Sequence, residues 1–270
     1  MSGGAAPKLA LIAGAGALPA ALVAALPTRP LICALDGFAP EGVEVDITFR
    51  LERLALLLRD LEDRGVTQAC FAGAVQRPRL DPSLFDPATA QMVPRILAAM
   101  GQGDDGALRA VIGIFEEAGF AVQGAGDIAP ALIPAAGVYG GEVTPSIEAD
   151  AARAETIVAA LGAVDVGQGC VVAGGQCLAV EVVSGTDAML ASLHSLGDLR
   201  PAHARGVFYK SAKPGQDRRI DLPTIGPRTV EMAAKAGLGA IVWRAGDVIC
   251  LDLPTMSAAA KIAGLTLWAR

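Results

Sequence analysis

The sequence predicts an α/β protein, with an N-terminal Rossmann-like parallel sheet carrying helices on both faces and a C-terminal mixed α/β domain. Three observations carry this reading. Through the first half, short apolar runs alternate with helical patterns, the order that builds a parallel sheet. The chain opens with a strand, then Gly14-Ala15-Gly16, then a helical segment, the layout of a phosphate-binding strand-to-helix turn. Past the Gly- and Pro-containing stretch "AAGVYGGEVTPS" the pattern changes to hairpins set between helices, as expected of a second domain. A chain of 270 residues is long enough for two domains. The reading divides it into residues 1–135, a linker over 136–146, and residues 147–270.

In chain order, "KLALIAG" is the first strand and Leu18 to Leu26 the first helix. "PLICAL" and "DITFRL" are strands, Leu54 to Arg64 a helix, and "QACFAGAV" a strand. A less regular helical stretch runs through "TAQMVPRILAAM". "GDDGALRAVIGIFEEAG" starts with Asp104 and Asp105, which suit the positive end of a helix, and stops at glycine. "FAVQGAGDIAPALIP" adds a strand and a loop. In the second half a helix from Ile147 to Leu161 leads into "GCVVAGGQCLAVEVV", a hairpin around Gly-Gly. A second hairpin is expected at "AIVWRAGDVICLDL", with helices starting near Thr186 and Pro227.

Charge and composition narrow the function. A net charge of −6 without a patch of Lys and Arg argues against a nucleic-acid partner. Apolar stretches such as "ALPAALVAALP" are broken by proline well short of the roughly 20 residues that a membrane span needs. The start "MSGGAAPK" lacks the basic and apolar regions of a secretory signal. The five cysteines are odd in number and mostly lie in apolar runs, which fits a reducing cytoplasm. Cys170 and Cys177 are the close pair, spaced C-x6-C across the first hairpin, with no C-x2-C to suggest zinc.

The glycine turn has two readings. Gly14 and Gly16 allow backbone amides to approach a phosphate, and Asp36 stands about twenty residues on, where an NAD enzyme places its ribose-binding acid. Pro19, however, occupies the place of the third glycine. From these residues alone, an NAD-dependent oxidoreductase and a plain tight turn both stand.

The most polar stretch is "YKSAKPGQDRRIDLPTIGPRT", residues 209 to 229. Lys210, Lys213, Arg218 and Arg219 suit phosphate oxygens, and Asp217 and Asp221 are oxygen donors of the kind Mg²⁺ takes. Interleaved cations and carboxylates fit metal-assisted phosphoryl chemistry; a surface loop is the alternative. The helix start at Gly226-Pro227 is a place for an anion. Asp187 beside Gly185 and Thr186 reads as a helix cap, Glu181 as the solvated face of a strand, and Arg77 as the end of a parallel strand. His194 and His203 read as surface residues, and no G-x-S-x-G nucleophile turn is present.

Taken together, "IAGAGALP", "FAGAVQRP", "GDDGALRAV", "VEVVSGTDAML" and above all "KSAKPGQDRRIDLPTIGPRT" resemble, in order and across nearly the whole chain, the metal-dependent UDP-2,3-diacylglucosamine pyrophosphatases of the LpxI type. The resemblance implies two linked domains with the substrate between them. It implies hydrolysis of UDP-2,3-diacylglucosamine to UMP and 2,3-diacylglucosamine 1-phosphate in lipid A biosynthesis, with Mg²⁺ or Mn²⁺, by water attack directed at the sugar-side phosphorus.

Carried onto this sequence, the resemblance makes Asp221 the carboxylate most needed for chemistry, as metal ligand or water-orienting base. Asp217 and Asp187 follow as further ligands of that metal, and Lys213 and Arg219 offset charge on the leaving oxygens. Gly14, Gly16, Leu18, Gly73, Ala74, Val75, Arg77, Gly185, Thr186, Lys210, Gln216 and Thr229 are the implied substrate contacts. A cytoplasmic protein that visits the cytoplasmic face of the inner membrane for its lipid substrate is expected, and an oligomer is compatible with it. A non-catalytic lipid or nucleotide-sugar carrier remains the other alternative.

Overall fold

The computed structural model describes residues 8–75, 80–100, 104–201, 204–219 and 222–270. They form two compact units, Met1–Pro130 with Asp217–Asp221, and Ala131–Gln216 with Leu222–Arg270.

In the first unit β1 (Leu9–Ala13) leads to α1 (Leu18–Ala25), followed by β2 (Leu31–Leu35), β3 (Ile47–Phe49), α2 (Leu54–Asp63) and β4 (Gln68–Ala72). Then come α3 (Pro87–Met100), α4 (Asp104–Glu117), β5 (Ala121–Gln123) and the short α5 (Ala125–Ile128). The sheet order is β3-β2-β1-β4-β5, and each pair of neighbouring strands is parallel. β1 and β2 are apolar along their whole length because helices cover a parallel sheet on its faces. α2 turns Leu54, Leu57, Leu58 and Leu61 inward at helical spacing, onto a core with Cys33, Ile112 and Phe115. At the end of α4 the backbone turns at Gly119, whose φ of 91° belongs to the left-handed region that glycine enters freely.

The second unit runs β6 (Gly137–Gly140), α6 (Pro145–Ala163), β7 (Gly169–Ala173), β8 (Gln176–Val180), α7 (Gly185–Ser192), β9 (Val207–Lys210) and β10 (Thr224–Ile225). It finishes with α8 (Pro227–Lys235), β11 (Ala240–Trp243), β12 (Ile249–Cys250), α9 (Leu253–Ala263) and β13 (Thr266–Ala269). The main sheet has the order β6-β13-β11-β9-β7-β8. β13, β11 and β9 are parallel, while β6, β7 and β8 run antiparallel to their neighbours. One face packs Phe208, Ile241, Trp243 and Leu267 against Val230, Ala233, Met256 and Ala260 of α8 and α9. The other packs Cys170, Val172, Tyr209 and Val242 against Ala151, Ala154 and Val158 of α6.

The Gly-Gly hairpin forms as the sequence predicts, with β7 and β8 antiparallel around Gly174 and Gly175. Its turn is gripped by α6: the Gly174 and Gly175 amides donate to the Asp150 carboxylate at 3.0 and 2.7 Å. The expected second hairpin does not form. β11 is buried throughout and takes parallel partners on both sides, so β12 leaves the sheet and pairs in parallel with β10. A turn closed by the Asp247 amide on the Arg244 carbonyl, 3.2 Å, redirects the chain between them. Part of the segment expected as a linker, residues 137–140, is the edge strand β6 on β13.

Candidate functional site

In the first unit the candidate residues meet where β1 and β4 end. The Gly14 amide donates to the Ala72 carbonyl at 2.8 Å, and the Ala15 and Ala74 backbones exchange two hydrogen bonds of 2.9 Å. A Cβ on Gly14 would lie 2.6 Å from the Ala74 carbonyl oxygen, and one on Gly73 would lie 2.5 Å from that of Gly14. Glycine is therefore required at both positions so that two main-chain turns can touch. The turn's glycines serve this contact, and the Gly14 and Ala15 amides are spent on protein carbonyls. Gly16, with φ 94°, turns the chain into α1, whose first residue is Leu18 and whose second, Pro19, is buried. Val75 follows the second turn and is exposed. The proposed ribose acid Asp36 pairs instead with Arg50 at 3.2 Å on the protein surface.

Asp217 and Arg219 group with this unit. Asp217 accepts from the Arg219 amide and Nε at 3.0 Å each and from Nη2 at 2.7 Å, while Arg219 Nη1 donates to Glu116 at 2.6 Å. The Arg219 guanidinium holds the Asp217 carboxyl below its ordinary range, and the two carboxylates push Arg219 upward. The arginine is thus fixed by carboxylates on both sides.

In the second unit a lysine is built into the ends of the parallel strands. Lys210, the last residue of β9, is buried, its side chain only 5% exposed. Its ammonium donates to both Glu181 oxygens at 3.1 and 3.2 Å and to Thr186 Oγ1 at 2.6 Å. Thr186 Oγ1 in turn donates to Glu181 Oε1 at 2.8 Å. Thr186 is in the first turn of α7, just after Gly185, whose φ is 82°. Gly169 on β7 leaves the room for this arrangement, since a Cβ there would sit 2.8 Å from Glu181 Oε2. The result is a desolvated cation oriented by a hydroxyl and a carboxylate at the edge of the sheet where α/β proteins bind ligands.

The remaining candidates have defined partners. Lys213 Nζ donates to Asp165 at 2.6 Å. Gln216 Oε1 accepts from the Lys213 amide at 2.9 Å and from Gln168 Nε2 at 3.1 Å. Thr229 caps α8 by accepting from the Gly226 amide at 3.2 Å and donating its own amide to the Gly226 carbonyl at 2.9 Å. Asp187, in the first turn of α7, pairs with Arg228 at 2.9 Å. His194 is exposed and lines a groove with Leu190, Met232 and Lys235. Arg77, His203 and Asp221 lie outside the described residues.

Glu181, which the sequence singled out but left as a residue on the solvated face of a strand, is instead tied to Lys210 and Thr186. It lies one position after β8, and its hydrogen bond with Thr186 spans five residues. Asp217 and Asp187 each sit on an arginine, and no group of three or more potential metal ligands gathers among the described residues. The described carboxylates thus do not supply a ready ligand set for Mg²⁺ or Mn²⁺.

A parallel-sheet unit with a glycine turn and a mixed-sheet unit with a lysine buried at its strand ends define a two-unit α/β protein. The chain belongs to the LpxI family: sequence models of the LpxI N-terminal domain and the LpxI C-terminal domain match residues 8–132 and 135–268. It is 36% identical over 270 aligned residues, covering 96% of this chain and 95% of the relative, to the UDP-2,3-diacylglucosamine pyrophosphatase LpxI of Caulobacter vibrioides.

Proposed function

We propose that this chain hydrolyses the pyrophosphate of UDP-2,3-diacylglucosamine to UMP and 2,3-diacylglucosamine 1-phosphate, a step of lipid A biosynthesis. The observation that carries the reading is the end-to-end match to a relative of that name, joined to a buried lysine of the kind phosphate chemistry uses. In the reaction the oxygen of water bonds to one phosphorus while the bond from that phosphorus to the bridging oxygen breaks, leaving two phosphomonoesters. Negative charge builds on the leaving oxygen, and fixed cations that need no reorganisation lower the barrier. Lys210 fits this task, because Thr186 and Glu181 hold its ammonium in place before any substrate arrives. Lys213 and Arg219 are proposed for the same charge, and Gly185 and Thr186 for the sugar phosphate.

Dependence on Mg²⁺ or Mn²⁺, with Asp221 as its carboxylate, rests on the family resemblance alone. Contact with the cytoplasmic face of the inner membrane is part of the reading, because a two-chain lipid resides in a bilayer. The test is UMP release from UDP-2,3-diacylglucosamine by the purified protein, with Mg²⁺ and then with a chelator. Turnover stopped by the chelator and by Asp221→Ala is the expected result. Turnover that survives the chelator removes the metal, a fully active Asp221→Ala protein removes that residue's assignment, and no UMP in any condition removes the activity.

A further inference from the structure

The turn from α6 to β7 breaks a local rule of helix ends. The Asp165 amide donates to the Gly162 carbonyl at 3.1 Å and the Val166 amide to the Leu161 carbonyl at 3.0 Å, the paired bonds of a Schellman turn. Asp165 carries the left-handed φ of that turn, 56°, where a side chain is crowded and glycine is the usual residue. α2, α4, α8 and α9 are followed at such places by Gly65, Gly119, Gly237 and Gly264, all of positive φ. An aspartate is kept here instead, and its carboxylate has a use. Asp165 Oδ1 accepts from Lys213 Nζ at 2.6 Å, and the lysine side chain is only 16% exposed. Asp252, the other non-glycine of positive φ among the described residues, is likewise engaged through its side chain, which caps α9 at the Thr255 amide.

The same turn grips the loop after β9 along its length. The Gln168 carbonyl accepts from the Ser211 amide at 3.0 Å, and Gln168 Nε2 donates to Gln216 Oε1. A Cβ on Gly162 would lie 2.8 Å from Pro214 Cδ and 3.3 Å from the Lys213 Cα, so the end of α6 lies directly against the loop. A Cβ on Gly167 would overlap the Glu181 carbonyl oxygen. One turn therefore backs both lysines, Lys213 through Asp165 and Lys210 through the chain that bears Glu181.

We propose that Asp165 is a positioning residue for the phosphate chemistry, holding the Lys213 ammonium in place as Glu181 holds that of Lys210. The assignment rests on the pyrophosphatase reading. A lysine free on its four-carbon stem must be ordered as charge builds on the reacting phosphates. One already held on a packed turn acts without that reorganisation.

The experiment compares the full chain with Asp165→Asn, Asp165→Gly, Lys213→Met and the double variant Asp165→Gly with Lys213→Met, by UMP release from UDP-2,3-diacylglucosamine. Lys213→Met should lower kcat by about 10²–10³. Asp165→Gly should lower it by about 10–10², because the cation remains but is no longer held, with KM changed less than kcat. Asp165→Asn, which keeps an acceptor oxygen and suits the left-handed backbone, should fall between Asp165→Gly and the unaltered chain. The double variant should be no slower than Lys213→Met, since Asp165 acts through that lysine. Glycine adopts this φ freely, so the melting temperature of Asp165→Gly, followed by circular dichroism, should hold while kcat falls. Where the glycine variant melts early, Asp165→Asn carries the same comparison. Unaltered kcat in Asp165→Gly and Asp165→Asn, or losses that multiply in the double variant, overturn the assignment and leave the activity standing. No UMP from the unaltered chain removes the pyrophosphatase reading and the assignment with it.

Discussion

Removing the Glu181 carboxylate strands the Lys210 ammonium where its side chain is 5% exposed. Breaking one half of a buried pair costs about 3–5 kcal/mol, because the remaining charge is left without compensation. Glu181→Ala should therefore lose that much stability in denaturant unfolding, while the double change of Glu181 and Lys210 to methionine should recover most of it. Activity separates the two roles. Lys210→Met should lower kcat by about 10²–10³, the usual effect of removing one charge-stabilising donor, and the double variant should stay as slow as Lys210→Met. A Lys210→Met protein with unchanged kcat would reduce the lysine to a fold element. The sequence made Lys210 legible as a cation in a polar loop. It did not disclose the partner, because a carboxylate after a strand looks the same whether it faces water or a lysine 29 positions away.

At the scale of elements, the β7–β8 hairpin was legible because Gly174 and Gly175 take the positive φ values, 55° and 78°, that mark a tight turn. The second expected hairpin rested on apolar runs around a turn, a pattern that says nothing about which strand a run pairs with. Burial on both sides of β11 decided for parallel partners instead. The Asp150 grip on the hairpin turn joins elements 24 and 25 positions apart and could not be read from spacing. Asp150→Ala leaves two amides without their acceptor, and a lost hydrogen bond to a charged group costs about 1.5–3 kcal/mol. Faster amide exchange confined to residues 174 and 175 and their neighbours in β7 and β8 should accompany the loss. Unchanged exchange would mean that the turn holds itself.

At the scale of the molecule, stability in acid follows from carboxylates held below their ordinary values. Burial raises Glu52, but the hydrogen bond from the Asp81 amide at 2.9 Å and Arg50 outweigh it. Burial likewise raises Asp86, and hydrogen bonds from Thr89 and Ala88 outweigh it. Each is less readily protonated folded than unfolded, so the stability it adds is complete above its unfolded value, near 4.5 for Glu52 and 3.8 for Asp86, and fades as pH falls through the lower folded value. The melting temperature should hold from neutral pH to about 5 and then fall, and Glu52→Gln should make that fall shallower. An equally steep fall in Glu52→Gln would place the acid-sensitive group elsewhere. The α/β class was legible from alternating apolar and helical runs. The grouping of Asp217–Asp221 with the first unit was not, because the Arg219–Glu116 pair spans 103 positions.

The paired turns at Gly14 and Gly73 have a consequence for how this surface can vary. Their contact is made by peptide groups, which every amino acid carries alike, so exchanging side chains at Ala15 or Ala74 leaves the joining hydrogen bonds available. A saturation library across both turns should show intolerance concentrated at the two glycines, where any added carbon would overlap a carbonyl. Diversity in such a library, and in descendants under selection, is channelled to the neighbouring positions, while the junction itself persists as a fixed hinge pin of the first sheet.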